Sequence, residues 1–148
     1  MTTTIRSVTL HDSVAVARLS GELGYPTDAD RMSARLAALL DARDHAVFVA
    51  CADVEVIGWV HVALVQHVQS DARAEIGGLV VAPGYRDAGV GARLVARAES
   101  WAREQGMAGI VVRSQIKRED AHRFYLRLGY ARTKTSAVFA KEFAAGTD

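Results

Sequence analysis

Residues 79–91 read Leu-Val-Val-Ala-Pro-Gly-Tyr-Arg-Asp-Ala-Gly-Val-Gly, and this stretch decides the fold. It reads as a buried strand, a sharp turn, and a glycine-spaced loop running straight into a helix. The helix is legible from Val90, Leu94, Val95, Ala98, Trp101 and Ala102, which recur at helical spacing and define one apolar face. Gly89 and Gly91 fall in its first turn, where backbone N–H groups have no intrahelical partner. Without Cβ atoms there, an anion can approach closely enough to accept several of those N–H bonds. The aligned peptide dipoles add roughly half a positive charge at the same spot. Arg86, just before the loop, supplies a guanidinium suited to phosphate oxygens. The stretch predicts a phosphate cradle.

What the loop lacks narrows the ligand. A Walker A loop needs Lys-Ser/Thr after its last glycine, and here Gly91 is followed by Ala92 and Arg93. A dinucleotide fingerprint needs a third glycine three residues on, where this chain has Leu94. The remaining pattern, Arg86-x-x-Gly89-x-Gly91 after a Val-rich strand and a proline, resembles the acetyl-CoA-binding motif of the GNAT family of N-acetyltransferases. The resemblance implies that the amides of Asp87, Ala88, Gly89, Val90, Gly91 and Ala92, with Arg86, hold the coenzyme A pyrophosphate. A second segment agrees. Ala121, Phe124, Tyr125 and Leu128 share one helical face that ends at Gly129, and the Ala-x-x-Phe-Tyr-x-x-x-Gly-Tyr pattern is similar to a second motif of that family. The two motifs stand in family order, and the resemblance spans the chain from the strand near Ile5 to that near Phe139.

Bulk properties exclude more than they specify. A chain of 148 residues suits one domain, here 1–148, with a sizeable core. Its net charge of +1 offers no long-range field for nucleic acid or an anionic membrane. The lone Cys51 precludes an intrachain disulfide and reads as a small buried hydrophobe. No apolar run approaches the ~20 residues of a membrane span, and the N-terminal residues lack a signal-peptide core, so a cytoplasmic protein is expected. No Cys/His cluster has metal-ligand spacing.

The expected order begins with a strand over 3–8. A helix then follows, opened by Thr9 with Asp12 as a capping-box variant. Residues 24–26 break it from a second helix, opened by Thr27 or Asp28 and carrying Met32, Leu36, Leu39 and Leu40. Strands over 46–51 and 56–65 form an antiparallel hairpin, and a fourth strand over 74–81 feeds the cradle and its helix. Gly106 stops that helix, a fifth strand covers 110–112, and the Tyr125 helix comes next. Short strands over 131–134 and 137–141 close the fold, with 144–148 a frayed tail. This is an α/β, single-domain order: a mixed, mostly antiparallel central sheet flanked by helices. The resemblance adds fourth and fifth strands that splay apart.

Acetyl transfer from acetyl-CoA to an amine needs a proton acceptor, because a lysine-like ammonium has a pKa near ~10.4. It also needs donors for the thioester oxygen and an acid for the departing thiolate. The resemblance implies Tyr125 as the acid, although spacing alone favours a core aromatic. Glu75, four residues before Leu79, is the candidate base; in an apolar cleft its pKa would rise. It also reads as a strand-end carboxylate or a partner for Arg73 or Arg113. His61, His67 and His122 are further proton acceptors. A glutamate on the fifth strand, used in other branches of the family, is absent from Val112-Arg113-Ser114.

The oxyanion donor is expected among the N–H groups of Leu79, Val80 and Val81, where pantetheine would pair with the freed edge, and Gly77-Gly78 suits a bulge just before it. Two positions depart from the family pattern. Asp87 stands in the loop where the family has glycine or a basic residue, so its side chain should point outward or cap the helix. Arg118 replaces an asparagine that bonds the pantetheine arm; Arg118, Lys117 or Arg123 could instead meet the ribose 3′-phosphate. Trp59 and Trp101 read as core. The resemblance places the acceptor between residues 21–30 and 66–73, where Glu22, Asp28, Asp30 and Asp71 suit a cation. A small-molecule amine, aminoglycoside-like or polyamine, is the expected acceptor, with no nucleic-acid or membrane partner, and a homodimer is compatible with the resemblance. A protein N-terminus or lysine, or a silent acyl-CoA sensor, are the other readings.

Overall fold

The run Ala46-Val-Phe-Val-Ala-Cys51 is apolar at every position, so the strand it forms must be covered on both faces. The computed structural model describes residues 2–113 and 118–145. In it this run lies in β2, His45–Ala52, which pairs antiparallel with β3, Glu55–His67, around a tight turn. Asp53 takes a left-handed φ of 53° in that turn, which a short, locally bonding side chain tolerates. β1, Thr3–Ser7, pairs antiparallel with β2; β4, Ser70–Val81, does so with β3; β5, Ile110–Val112, runs parallel to β4. Among the described residues the sheet order is β1-β2-β3-β4-β5, mixed and mostly antiparallel. β4 starts earlier than its apolar pattern predicts. Gln66 Nε2 donates to the carbonyls of His67 and Ser70 and draws the hairpin closed, so pairing persists to His67↔Ser70.

Alternation along β2 assigns the helices to faces. Val47, Val49 and Cys51 share a core with Val16 and Leu19 of α1, Ser13–Glu22, and with Met32 and Leu36 of α2, Ala29–Asp41. Phe48, between Val47 and Val49, points the other way, and the Arg97 guanidinium of α3, Val90–Glu104, lies 4.3 Å from its ring centroid. Leu94, Val95, Ala98, Trp101 and Ala102 are buried on α3, as their spacing predicts. Leu40 of α2 is exposed, so the apolar stripe there is narrower than expected.

Start signals work as chemistry requires. Asp12 accepts from the Thr9 N–H at 2.8 Å and takes both Arg6 terminal nitrogens at 2.8 Å, at the end of a 3-10 turn leading into α1. Those Arg6 bonds hold the Asp12 carboxyl below the usual carboxylate range. Asp28, rather than Thr27, caps α2 by accepting from the Arg31 N–H at 2.7 Å.

The chain divides into two compact units, Met1–Arg113 and Ser114–Asp148. The first holds the sheet with α1 to α3. The second holds α4, Glu119–Arg127. Gly129, at φ 92°, ends α4 in a Schellman motif: the Tyr130 N–H reaches the Tyr125 carbonyl and the Gly129 N–H reaches Leu126. The closing strands expected over 131–134 and 137–141 do not form; residues 130–145 carry neither helix nor strand. Two segments of four and five residues make at best a marginal hairpin on their own, and Val138 and Phe139 stay exposed. Of the tail expected over 144–148, residues 146–148 lie outside the described residues. No described helix is long and apolar enough to cross a membrane.

Candidate active site

The glycine loop leads into the N-terminus of α3, where its sequence places it. Gly89 is the N-cap of α3 at a left-handed φ of 80°, and the first intrahelical bond runs from the Arg93 N–H to the Gly89 carbonyl. The N–H groups of Val90, Gly91 and Ala92 precede that bond and have no acceptor inside the helix. Nothing lies within 4 Å of the place where a Cβ on Gly89 would sit, so the approach is open. Asp87 also has a left-handed φ, 65°, and is exposed. Two left-handed residues this close make a tight turn at the head of α3. Asp87 points outward as expected, but it does not cap α3, since Gly89 holds that position without a side-chain bond. Arg86 is exposed and anchored through Nε to the Val81 carbonyl at 3.2 Å, which leaves its terminal nitrogens for an anion. Ala88 is exposed, whereas the Val90 side chain is buried beneath the loop. An acetyl-CoA pyrophosphate fits this open, amide-lined turn.

Upstream, the β4–β5 ladder ends at Ile76↔Val112, and among the described residues 77–81 pair only with β3. The register between β3 and β4 slips between His61 and Val62, leaving Gly77 as the extra residue of a bulge. Val80 presents its carbonyl to β3, where a Cβ on Gly58 would meet it at 2.9 Å, and its side chain lies in the core. The Val81 carbonyl instead accepts from Arg86. Backbone groups alternate along a strand, so Leu79 and Val81 face the open edge and Val80 does not. The expected donor therefore narrows from three residues to Leu79 and Val81.

Two glycines let β3 side chains lie across the bulge. A Cβ on Gly78 would strike the Trp59 ring at 2.8 Å, and one on Gly77 would stand 3.1 Å from His61 Nδ1. Trp59 is partly buried against the core as predicted, with Nε1 buried and without an acceptor among the described residues. Trp101 and Cys51 are buried as read.

Glu75 sits on β4 opposite Ala63 of β3 and Val111 of β5. The apolar cleft expected around it is replaced by an ion pair: Oε1 accepts from Arg113 Nε at 2.8 Å. The parallel register explains the choice of partner. Arg113 follows Val111 by two residues and so shares its face, next to Glu75. Oε2 has no donor among the described residues. His61 lies two residues before Ala63, on the same face as Glu75, and its Nε2 is 2.9 Å from His45 Nδ1. Burial, and then the neighbouring His45, push the His61 pKa below its ordinary value. His67 ends β3 in the hairpin turn. At about 3.3 Å per residue, Asp71 is about 13 Å along β4 from Glu75, so the 66–73 segment lies toward the far end of the strand. Leu23, in contrast, would lie 3.9 Å from a Cβ on Gly78, which brings the end of α1 over the bulge. Asp28 is committed to its helix cap; Glu22 and Asp30 are exposed. The residue that the sequence reading missed is His45. Its signal was the hairpin register, which a bulge between Ala50 and Cys51 shifts by one.

In the second unit Tyr125 packs edge-on against Phe124 and Tyr130, at ring separations of 5.1 and 5.7 Å. Burial pushes its hydroxyl pKa up, against the charge of Arg118, the N-cap residue of α4. Arg123 is paired with Asp120, and the backbone N–H of His122 reaches the Arg118 carbonyl at 3.1 Å. Lys117 lies outside the described residues.

Comparison with known proteins gives the family and the fold. The model of the Acetyltransferase (GNAT) family matches residues 14–130. The chain is 32% identical over 141 residues to aminoglycoside N(6′)-acetyltransferase type 1 of Stenotrophomonas maltophilia, covering 92% of this chain and 91% of that one. It is 38% identical over 113 residues to the aminoalkylphosphonate N-acetyltransferase of Salmonella typhimurium, covering 76% and 71%. In fold it matches aminoglycoside N-acetyltransferase AAC(6′)-Iy, solved with the bisubstrate analogue CoA-S-monomethyl-acetylneamine. The TM-score is 0.85 at 21% identity, over 96% of this chain and 99% of that one.

Proposed function

The chain belongs to the GNAT family of acetyltransferases, and from that premise we propose that it acetylates a primary amine of a small, cationic molecule by direct attack in a ternary complex. It is an N-acetyltransferase, and acetyl-CoA is its cosubstrate. One observation supports the chemistry most: the β4 edge that has no partner beyond Ile76 among the described residues continues into the open loop at the head of α3. The acceptor class is supported by relatives named for aminoglycoside and aminoalkylphosphonate acetylation.

Acetyl-CoA brings an activated acetyl thioester and a leaving thiol; the chain's own residues do the rest. The amides of Val90, Gly91 and Ala92, with Arg86 and the Asp87–Ala88 turn, hold the pyrophosphate. Leu79 and Val81 pair with the pantetheine arm, and one of their N–H groups meets the carbonyl oxygen as its charge grows. Arg113 orients Glu75 through Oε1, so that Oε2 accepts a proton from the amine. Tyr125 returns a proton to the thiolate, and Arg118 contributes positive charge beside it. Residues 1–148 act as one N-acetyltransferase domain in the cytoplasm, where the cosubstrate is available.

The test is release of free thiol from acetyl-CoA across a panel of aminoglycosides, aminoalkylphosphonates, polyamines and a lysine peptide. Turnover with a small amine and none with the peptide is expected. Turnover on the peptide alone, or coenzyme A binding without any turnover, would overturn the proposal. Tyr125→Phe, which keeps the ring and removes one hydroxyl, lowers kcat while acetyl-CoA affinity stays nearly constant, as for an interaction made in the transition state. The loss shrinks for an acyl donor whose thiol has a lower pKa, because a better leaving group needs less help. An unchanged kcat with acetyl-CoA would make Tyr125 a packing residue.

A further inference from the structure

Proton bookkeeping asks the site for more than one acceptor. An acceptor amine arrives with three hydrogens on nitrogen and leaves, as a secondary amide, with one. One proton must go before the lone pair can form the C–N bond, and the second goes as the C–S bond breaks. One of the two is matched by the proton gained by the thiol, and the other is released to solvent. Glu75 accounts for one removal. Beside it on the same sheet face stands a chain of three titratable side chains: Asp44, His45 and His61.

Their geometry favours one placement of the protons. Between His45 Nδ1 and His61 Nε2, 2.9 Å apart, there is room for one hydrogen only. The Asp44 carboxylate lies 3.9 Å from His45 Nε2, within ion-pair range, and favours a proton on that nitrogen. His45 Nδ1 is then the acceptor, and His61 Nε2–H donates to it. The consequence is a bare lone pair on His61 Nδ1, the atom that abuts Gly77 at the bulge. Gly77 is where β4 leaves β5 and the open edge begins. The two ring planes lie 19° apart with centroids 5.1 Å apart, so the imidazoles meet edge to edge, as an N–H···N bond along the ring lone pairs requires. We propose that His61 is a second proton acceptor of the acetyl-transfer site, held in its accepting tautomer by His45 and Asp44 as positioning residues. The proposal rests on the acetyltransferase reading above. Burial favours neutral His61 and so keeps Nδ1 ready. After Nδ1 takes a proton, the hydrogen in the imidazole pair can move to His45, bringing the charge toward Asp44. Arg73 and Glu75 of β4, Arg113 beside Glu75, and Arg6 of β1 with its partner Asp12 are the other charged groups that share this face.

Two acceptors that must both be unprotonated give log(kcat/KM) for the amine a limiting acid-side slope of two. His61→Gln keeps a donor toward His45 and removes the base. It should lower kcat/KM by about 10²-fold and reduce the slope to one. His45→Phe keeps an aromatic ring and removes the acceptor, and His45→Asn restores an acceptor. The first should release the His61 tautomer and the second should hold it, as read from imidazole ¹⁵N shifts. In the wild-type protein those shifts should show the proton on His61 Nε2. A proton on Nδ1, or a His61→Gln enzyme with a slope of two and wild-type kcat/KM, would overturn the proposal. If wild-type protein turns over no small amine, the acetyl-acceptor reading fails separately, and the ¹⁵N shifts still decide the tautomer.

Discussion

Gly91→Glu abolishes acetyl-CoA binding in titration calorimetry while the circular dichroism and thermal unfolding of the protein stay close to wild type. Gly91 is the second residue of α3 and is not among the residues with positive φ, so a side chain there strains no backbone. A glutamate in the first turn even complements the helix dipole. What it destroys is access, by placing a carboxylate where the pyrophosphate must meet the amides. Losing two charge-assisted hydrogen bonds at about 1.5–3 kcal/mol each weakens binding on the order of 10²–10⁴-fold, before charge repulsion is added. Gly89→Asp should act in the same direction with some loss of stability, because its φ of 80° is left-handed, although aspartate tolerates that region better than most residues. Unchanged affinity in both variants would sink the cradle.

Glu75→Gln lowers kcat/KM for the amine by roughly 10²–10⁴-fold, the span expected for loss of a general base. The substitution is nearly isosteric, and the amide oxygen can still accept from Arg113 Nε, so the joint between β4 and the end of β5 should persist. The pH–rate profile should lose one acid-side ionisation and keep the other. A variant of near-normal rate and unchanged profile would remove Glu75 from the chemistry and leave it as a structural partner of Arg113.

These two sites differ in how far they could be read in advance. The cradle is local: a strand, a proline, two glycines and an apolar helix face lie within a short run of chain, and every part of its physics is backbone geometry at one helix terminus. Helix starts are legible for the same reason, as Asp12 and Asp28 show, since a cap is settled by residues three apart. Glu75 is harder. The sequence marks it as a carboxylate on the strand before the cradle and offers Arg73 or Arg113 as partner. Only the parallel pairing of β4 with β5 selects Arg113 and replaces the expected apolar cleft with an ion pair. The closing strands expected over 131–134 and 137–141 do not form, because so short a hairpin depends on what it pairs with and not on its own residues.

By itself, then, the sequence determined the strand–loop–helix that presents free amides to an anion, the covered hairpin at the centre of the sheet, and the family. The tertiary structure decided which side chains face one another. Had β2 and β3 kept the register of their turn, Ala52↔Glu55, His45 would stand opposite Val62 and point away from His61. One extra residue beside Ala50 and Cys51 moves the pairing to His45↔Ala63 and Val47↔His61, and the two imidazoles meet. A second extra residue, Gly77, lets His61 and Trp59 lie over β4 at the point where the edge opens. Because side chains alternate with a period of two, a slip of one residue reverses every face downstream of it. Such slips are set by the packing on both sides of the sheet, and no short window of sequence contains them.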